Sequence, residues 1–330
     1  MKDLGLLEKM KKMPGGLVII PLLLAVFINT VFPQFFQIGG FTTGLFKTGQ
    51  PAMMGLFLIL CGSTINIKEV GMPLYKGTIL TAIKFLVGIL IGYAVGKIWG
   101  AAGILGLTPM VLIAAITNSN SSLYISLSSQ FGDATDTGAI SILSLNDGPF
   151  FTLIALGATG LANIPFMALV ATIVPLLIGF VWGNLDSGFR NTCKAAQPIV
   201  TFFMTISIGS STDISTIVKA GISGIVLGLV SAVLGIVFYF TFNLFLKKKD
   251  RNAMGAAIGT TALNAAMTPA AVAAADPSFL ASVDMATAQI ATASIITLFL
   301  CPFLTAYLDR RLKKKRAEEK ELELKGVISN

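Results

Sequence analysis

Phe46-Lys47-Thr48-Gly49-Gln50-Pro51 leads through an apolar run into Gly62-Ser63-Thr64-Ile65-Asn66-Ile67. At an offset of 147, Lys194-Ala195-Ala196-Gln197-Pro198 leads through another into Gly209-Ser210-Ser211-Thr212-Asp213-Ile214. Lysine, Gln-Pro and Gly-Ser stay in register, and Gly77 and Gly88 of the next apolar run meet Gly224 and Gly235 at the same offset. Chance similarity between apolar segments does not keep polar positions aligned; an architectural repeat does. Two related halves in hydrocarbon are the plan of a transporter that rocks about a shared central site.

Composition places the repeat in a membrane. Of 330 residues, 54% are hydrophobic and 12% charged, with a mean hydropathy of +0.82; soluble domains carry about 25% charged residues. A spanning helix needs about 20 apolar residues. Ten spans are expected, near 15–32, 48–66, 76–97, 107–130, 137–160, 164–183, 195–212, 219–246, 253–275 and 284–308. They divide as an amphipathic lead-in over 1–13, a first five-helix repeat over 14–160, a second, inverted one over 161–308, and a charged tail over 309–330. The fold class is therefore an all-α polytopic membrane protein. With both termini cytoplasmic, 20 of the 24 Lys and Arg fall on the cytoplasmic side, as the positive-inside rule requires. That rule also explains the net charge of +8 without nucleic acid. Arg310–Arg316 is expected against anionic lipid, and the Glu-rich segment after it reads as a solvated helix or a disordered tail. The first apolar run has no convincing small-x-small cleavage site and is read as a retained span.

Several chemistries are excluded. Histidine is absent, and Cys61, Cys193 and Cys301 are far apart, so neither a disulfide framework nor a metal spacing is present. No Walker loop or dinucleotide fingerprint occurs, and no cofactor is expected.

The polar residues inside the spans carry the functional signal. Thr117-Asn118-Ser119-Asn120-Ser121-Ser122 interrupts the fourth span; Thr260-Thr261, Asn264 and Thr268-Pro269 interrupt the ninth. Such side chains compete for backbone hydrogen bonds and favour unwinding. Thr268 is expected to N-cap the half-helix that starts at Pro269. Matched broken spans point to a midplane site, where half-helix N-termini suit a carboxylate and C-terminal carbonyls suit a cation. Two ionisable residues lie within spans, Lys84 in the third and Asp147, within Asn146-Asp147-Gly148-Pro149, in the fifth; such groups are functional hypotheses by default. Asp147, with Asn146, either carries a coupling proton or helps hold sodium with Asn118 and Ser121. Lys84 either draws an anion into the cavity, pairs with Asp147 or snorkels outward. Asp133, Asp136, Asp276 and Asp284 read as ordinary loop or helix-start residues.

With these features assembled, the chain resembles the 2-keto-3-deoxygluconate permease family. The resemblance rests on Pro14-Gly15-Gly16, Ser122-Leu123-Tyr124, Ser144-Leu145-Asn146-Asp147-Gly148-Pro149, Gly183-Asn184-Leu185-Asp186, Ile208-Gly209 and Thr212-Asp213-Ile214, over residues 10–310. It implies a bacterial inner-membrane symporter importing this sugar acid with a proton. It also implies the ten-helix inverted-repeat fold of the bile-acid and arsenite transporter superfamily, with panel and core domains and crossing helices four and nine. Asn118, Asn120, Asp147, Thr260 and Asn264 would then face one crossing. Relatives that carry Asn-Gly-Gly before Leu-Tyr differ from the Asn120-Ser121-Ser122 found here.

The function expected is secondary active uptake of a small sugar acid through alternating access. Asn118, Ser119, Asn120, Ser121, Ser122, Thr260, Thr261, Asn264, Thr268 and Lys84 would receive substrate, and Asp147 would couple the ion, H+ or Na+. A carrier for another organic anion in the same fold is the near alternative. An intramembrane enzyme pairing Asp147 with Asp213, or a membrane sensor, is the distant one. Lipid and a small molecule are the partners, and a homodimer stays open.

Overall fold

The computed structural model describes residues 5–12, 16–67, 71–146, 148–211 and 213–324. Pro14, Gly15, Lys68, Asp147 and Thr212 lie outside the described residues. The described chain is helical, with one isolated β-bridge between Ile104 and Leu107.

In chain order the helices of the first half are α1 (Leu6–Lys12), α2 (Gly16–Val31), α3 (Gly40–Phe46), α4 (Gln50–Thr64), α5 (Met72–Trp99), α6 (Pro109–Thr117), α7 (Ser121–Phe131), α8 (Ala134–Gly138), α9 (Ile140–Leu143) and α10 (Phe150–Ala158). The second half holds α11 (Phe166–Leu185), α12 (Ser187–Gly209), α13 (Ile214–Leu244), α14 (Met254–Ala257), α15 (Thr268–Ala275) and α16 (Val283–Leu324). Four segments are long and apolar enough to cross a membrane: Met72–Trp99, Phe166–Leu185, Val218–Leu244 and Pro277–Glu319. Three bent pairs, α3 with α4, α6 with α7, and Ala134–Asn146 with α10, raise the count to seven if each is one span. The other expected spans fall on the shorter apolar helices Ile20–Val31 and Leu263–Ala275 and on α12, which is not among the segments long and apolar enough to cross.

The helices form two layers. In one, α4 lies along α11 and α12, and α12 along α2. In the other, α5 packs on α6, α8 and α9, while α13 packs on α14 and α16. Glycine permits the close approaches. A Cβ at Gly62 would meet Leu176 O of α11 at 2.0 Å, and one at Gly209 would meet Leu22 O of α2 at 2.6 Å. Without side chains there, backbones touch, as small residues allow between membrane helices.

The glycines kept at the offset of 147 do the same work in both halves. Gly77 of α5 abuts Ala139 O and Ile142, and Gly224 of α13 abuts Thr292 and Gln289 O. Gly88 abuts Thr117, where α6 ends, and Gly235 abuts Gly259, just past α14. The two Gln-Pro pairs diverge. Pro51 sits in the first turn of α4, but Pro198 lies inside α12, because α12 begins earlier, where Asp186 accepts from the N–H groups of Gly188 and Phe189.

The tail continues as helix to Leu324. Arg316 donates to the carbonyls of Lys248, Lys249 and Arg251, which ties the tail helix to the turn before α14.

Candidate functional site

The two interruptions meet. Thr108 caps α6, accepting from Val111 N–H at 3.3 Å, and Pro109 occupies the first turn, where its missing N–H costs nothing. The helix stops at Thr117. Asn118 and Asn120 have extended backbones, and α7 starts after Asn120, whose side chain accepts from Leu123 N–H at 3.0 Å. The axes of α6 and α7 differ by 41°. In the second half, α14 ends at Ala257, residues through Ala262 are not helical, and a 3-10 turn over Leu263–Met267 runs directly into α15.

Thr268 is therefore not the N-cap expected of it. Its backbone is already helical (φ −59°, ψ −40°), and the extended conformation that lets a cap side chain reach back is absent. Its buried hydroxyl has no hydrogen-bond partner among the described residues.

Hydrogen bonds tie one break to the other. Asn120 N–H donates to Thr260 Oγ1 at 3.1 Å, and the Thr261 hydroxyl donates to Ala115 O at 3.2 Å. Thr261 N–H donates to Thr297 Oγ1 on α16 at 3.1 Å. Thr260 and Thr261 are fully buried, as are Asn118 and Ser119; Asn264 is nearly so, Asn120 and Ser121 are half-buried and Ser122 is exposed. Lys84 does not snorkel: it is 1% exposed, and its ammonium donates to the carbonyls of Ile258 and Thr260. Thus Asn120, Thr260, Thr261 and Lys84 come together through named bonds.

Several other buried polar atoms have no hydrogen-bond partner among the described residues. Asn118 donates to Ala114 O at 2.9 Å, but its Oδ1 has no partner. Neither has Ser119 Oγ, Thr81 Oγ1 on the face of α5 that carries Lys84, or either polar atom of Asn146. Asn146 ends a 3-10 turn over Ser144–Asn146 that packs on α4, and the 3-10 turn at the second break, Leu263–Met267, packs on α12. A buried donor or acceptor without a partner costs about 1–3 kcal/mol. Each such side chain calls for a physical account.

Sequence reading missed two features. Asp136, read as ordinary, is completely buried 2.9 Å from the ammonium of Lys76, itself 1% exposed, and accepts from Asn252 Nδ2 at 2.8 Å. The pair binds the start of α5 to the start of α8 and to the turn before α14. Its signal was Lys76 at the edge of a span, yet nothing local names a partner 60 positions away. Asp133 caps α8 in a reciprocal box with Asp136. Partial burial would raise its carboxyl, but hydrogen bonds from the Thr135 hydroxyl and Asp136 N–H, with Lys76 at 3.4 Å, hold it down at about 2. The second feature is a cavity of about 30 Å³ between the layers, lined by Gln50, Ile208 and Ser211 on one side and Ala266, Asp284 and Thr287 on the other. That volume has room for a water molecule or two. Gln50 donates across α12 to Ser207 O at 2.7 Å.

The family model described as 2-keto-3-deoxygluconate permease matches residues 7–314. The 2-keto-3-deoxygluconate permease 1 of Salmonella typhimurium is 42% identical over 314 residues, 95% of this chain and 98% of the relative. The 2-keto-3-deoxygluconate permease of Bacillus subtilis is 32% identical over 93% of this chain and 94% of its own length. That of Escherichia coli O7:K1 is 30% identical over 97% and 98%. A match this long at this identity is decisive: the chain belongs to the 2-keto-3-deoxygluconate permease family.

Proposed function

We propose that this protein imports 2-keto-3-deoxygluconate across the bacterial inner membrane by proton symport and alternating access. Membership in a permease family makes it a transporter and not an enzyme, and its apolar helices make it a multi-pass membrane protein. The substrate is taken over from the names of its relatives. The observation that carries the reading is that Asn118 and Ser119 at one break and Thr268 at the other bury polar atoms with no hydrogen-bond partner among the described residues. A sugar acid offers hydroxyls and a carboxylate to such groups.

A ten-span inverted repeat, with α2, α4, α11 and α12 as panel and the remaining spans as core, is part of this proposal. It draws support from the equivalent packing of Gly77 with Gly224, Gly88 with Gly235, and Gly62 with Gly209. Both termini are assigned to the cytoplasm from the distribution of Lys and Arg. Asp147, outside the described residues, is assigned the coupling role because it is an acid within a span.

Purified protein in liposomes tests the reading. Labelled 2-keto-3-deoxygluconate should accumulate under an imposed pH gradient. Accumulation driven only by sodium would keep the substrate and replace the ion. No accumulation under either gradient would overturn the substrate assignment.

A further inference from the structure

Carbonyls at the end of α14 and along the unwound chain after it find partners on α16 and α5. Cys301 on α16 turns its thiol to Ala256 O at 3.4 Å and Ala257 O at 3.6 Å. The Ser294 hydroxyl donates to Ala262 O at 3.0 Å. Between them, Ile258 O and Thr260 O both accept from the ammonium of Lys84, which reaches across from α5. Helix C-termini leave such oxygens without intrahelical partners, and converging carbonyls in a dry interior are ligands for a cation. The ring of Phe238 adds a π face 5.7 Å from Nζ.

The other half does the equivalent work without charge. At the offset of 147 from Lys84 stands Ser231 on α13, buried, with its hydroxyl 3.2 Å from that of Thr261. Thr261 in turn donates to Ala115 O near the end of α6. One break is closed by hydroxyls and the other by a full positive charge.

We propose that the Lys84 ammonium is the resident cation of the second break. It fills the position that Ile258 O and Thr260 O define, fixes Thr260 to receive Asn120 N–H, and keeps inorganic monovalent cations out of that position. This deepens the coupling part of the transport reading and rests on it only for one consequence, that any driving sodium ion binds elsewhere. Occupancy itself is tested by melting, without transport, so the two readings fail separately.

Lys84→Ala deletes a fragment with the shape of n-propylammonium. Full-length protein in detergent is melted in choline, sodium, n-propylammonium and tetramethylammonium chloride at one ionic strength, and with 1-propanol as a neutral control. Wild type should melt alike in the four salts. Lys84→Ala should melt at least about 5 °C lower in choline, and regain at least half of that loss in n-propylammonium but not in tetramethylammonium or 1-propanol. A smaller, sodium-specific gain should appear in the variant alone. Wild-type melting by Lys84→Ala, equal recovery in every salt, recovery in 1-propanol, or the same sodium-specific gain in wild type would overturn the proposal. Should the alanine variant not fold, Lys84→Met keeps the stem and drops the charge. Melting at least about 5 °C below wild type supports the resident cation; melting at or above wild type overturns it.

Discussion

Replacing Gly259 with alanine puts a methyl group where α13 passes the second break. A Cβ there would meet Gly235 Cα at 2.7 Å, Gly235 N at 3.0 Å and Ala256 O at 3.1 Å. All three are backbone atoms, so no rotamer change relieves them, and the strands of chain must separate by about 0.7 Å to reach ordinary contact. The next residue is Thr260, whose hydroxyl holds Asn120 N–H at 3.1 Å and whose carbonyl holds Lys84. A shift of that size along the first bond takes it past hydrogen-bonding reach. Overpacking of this kind costs about 1–3 kcal/mol, and the lost hydrogen bond about 1 kcal/mol more. At about 2–3 °C per kcal/mol for a chain of this size, the melting temperature should fall by roughly 4–12 °C. Gly221 on α13 is the control: a Cβ there meets nothing within 4 Å, and Gly221→Ala should stabilise by about 0.5–1 kcal/mol through helix propensity. Melting in detergent and uptake of labelled 2-keto-3-deoxygluconate into liposomes read both variants. Gly259→Ala should lose at least ten-fold in uptake and Gly221→Ala nothing. A Gly259→Ala protein that melts within 2 °C of the control and transports like wild type would refute the claim that this contact positions Thr260.

Asn146→Leu removes a buried amide that has no partner for either polar atom; its melting temperature should stay level or rise, because no hydrogen bond is lost, while uptake falls at least ten-fold. If stability and uptake fall together, Asn146 is a structural residue. Asp147→Asn should abolish gradient-driven accumulation and leave some substrate exchange; full accumulation by this variant removes Asp147 from coupling. The Asp133 carboxyl, held at about 2 when folded against 3.8 in the free residue, contributes stability that is complete above the unfolded value and lost as pH falls through about 2. Acid melting profiles of Asp133→Asn should therefore lie below wild type above pH 4 and converge with it toward pH 2. The gap should be small, because Asp133 is 63% exposed and solvent screens it. A constant gap across that window would mean that the cap, and not the charge, is what the variant loses.

What was legible in the sequence were the places where a side chain conflicts with its surroundings. Polar residues at 117–122 and 260–268 stand out in apolar runs, and helices stop at both. The paired glycines at one offset each sit at a close helix contact, Gly77 and Gly88 on α5 and Gly224 and Gly235 on α13. Lys84 was marked by its charge, but its partners were not, since Ile258 O and Thr260 O are backbone atoms that no residue type announces. Thr268 carried the composition of a cap, yet a preceding 3-10 turn gave it helical backbone and cancelled that role. Lys76 and Asp136 pair across 60 positions through tertiary packing alone. Span number was legible in part: among the described residues four continuous apolar helices and three bent pairs account for up to seven.

The packing also says where motion can occur. Within the layer of α4, α11 and α12, glycines meet backbone: a Cβ at Gly179 would meet Ile59 O at 2.0 Å, and one at Gly183 would meet Ser63 O at 2.4 Å. Within the other layer, Gly92 faces Ile113 and Gly255 faces Phe238 O, with distances from the added Cβ of 2.2 and 2.6 Å. Contacts this close fix each layer as a unit, because sliding would drive backbone into backbone. The seam between the layers is different. There Gly148 faces the flexible end of Leu58, and the cavity beside Gln50 and Asp284 leaves packing unfilled. A rigid-body movement in alternating access needs two stiff parts and one yielding surface. Under the alternating access proposed above, both breaks, with Lys84 closing one of them, would move with the layer of α5 and α13, and the seam would be the surface that re-forms.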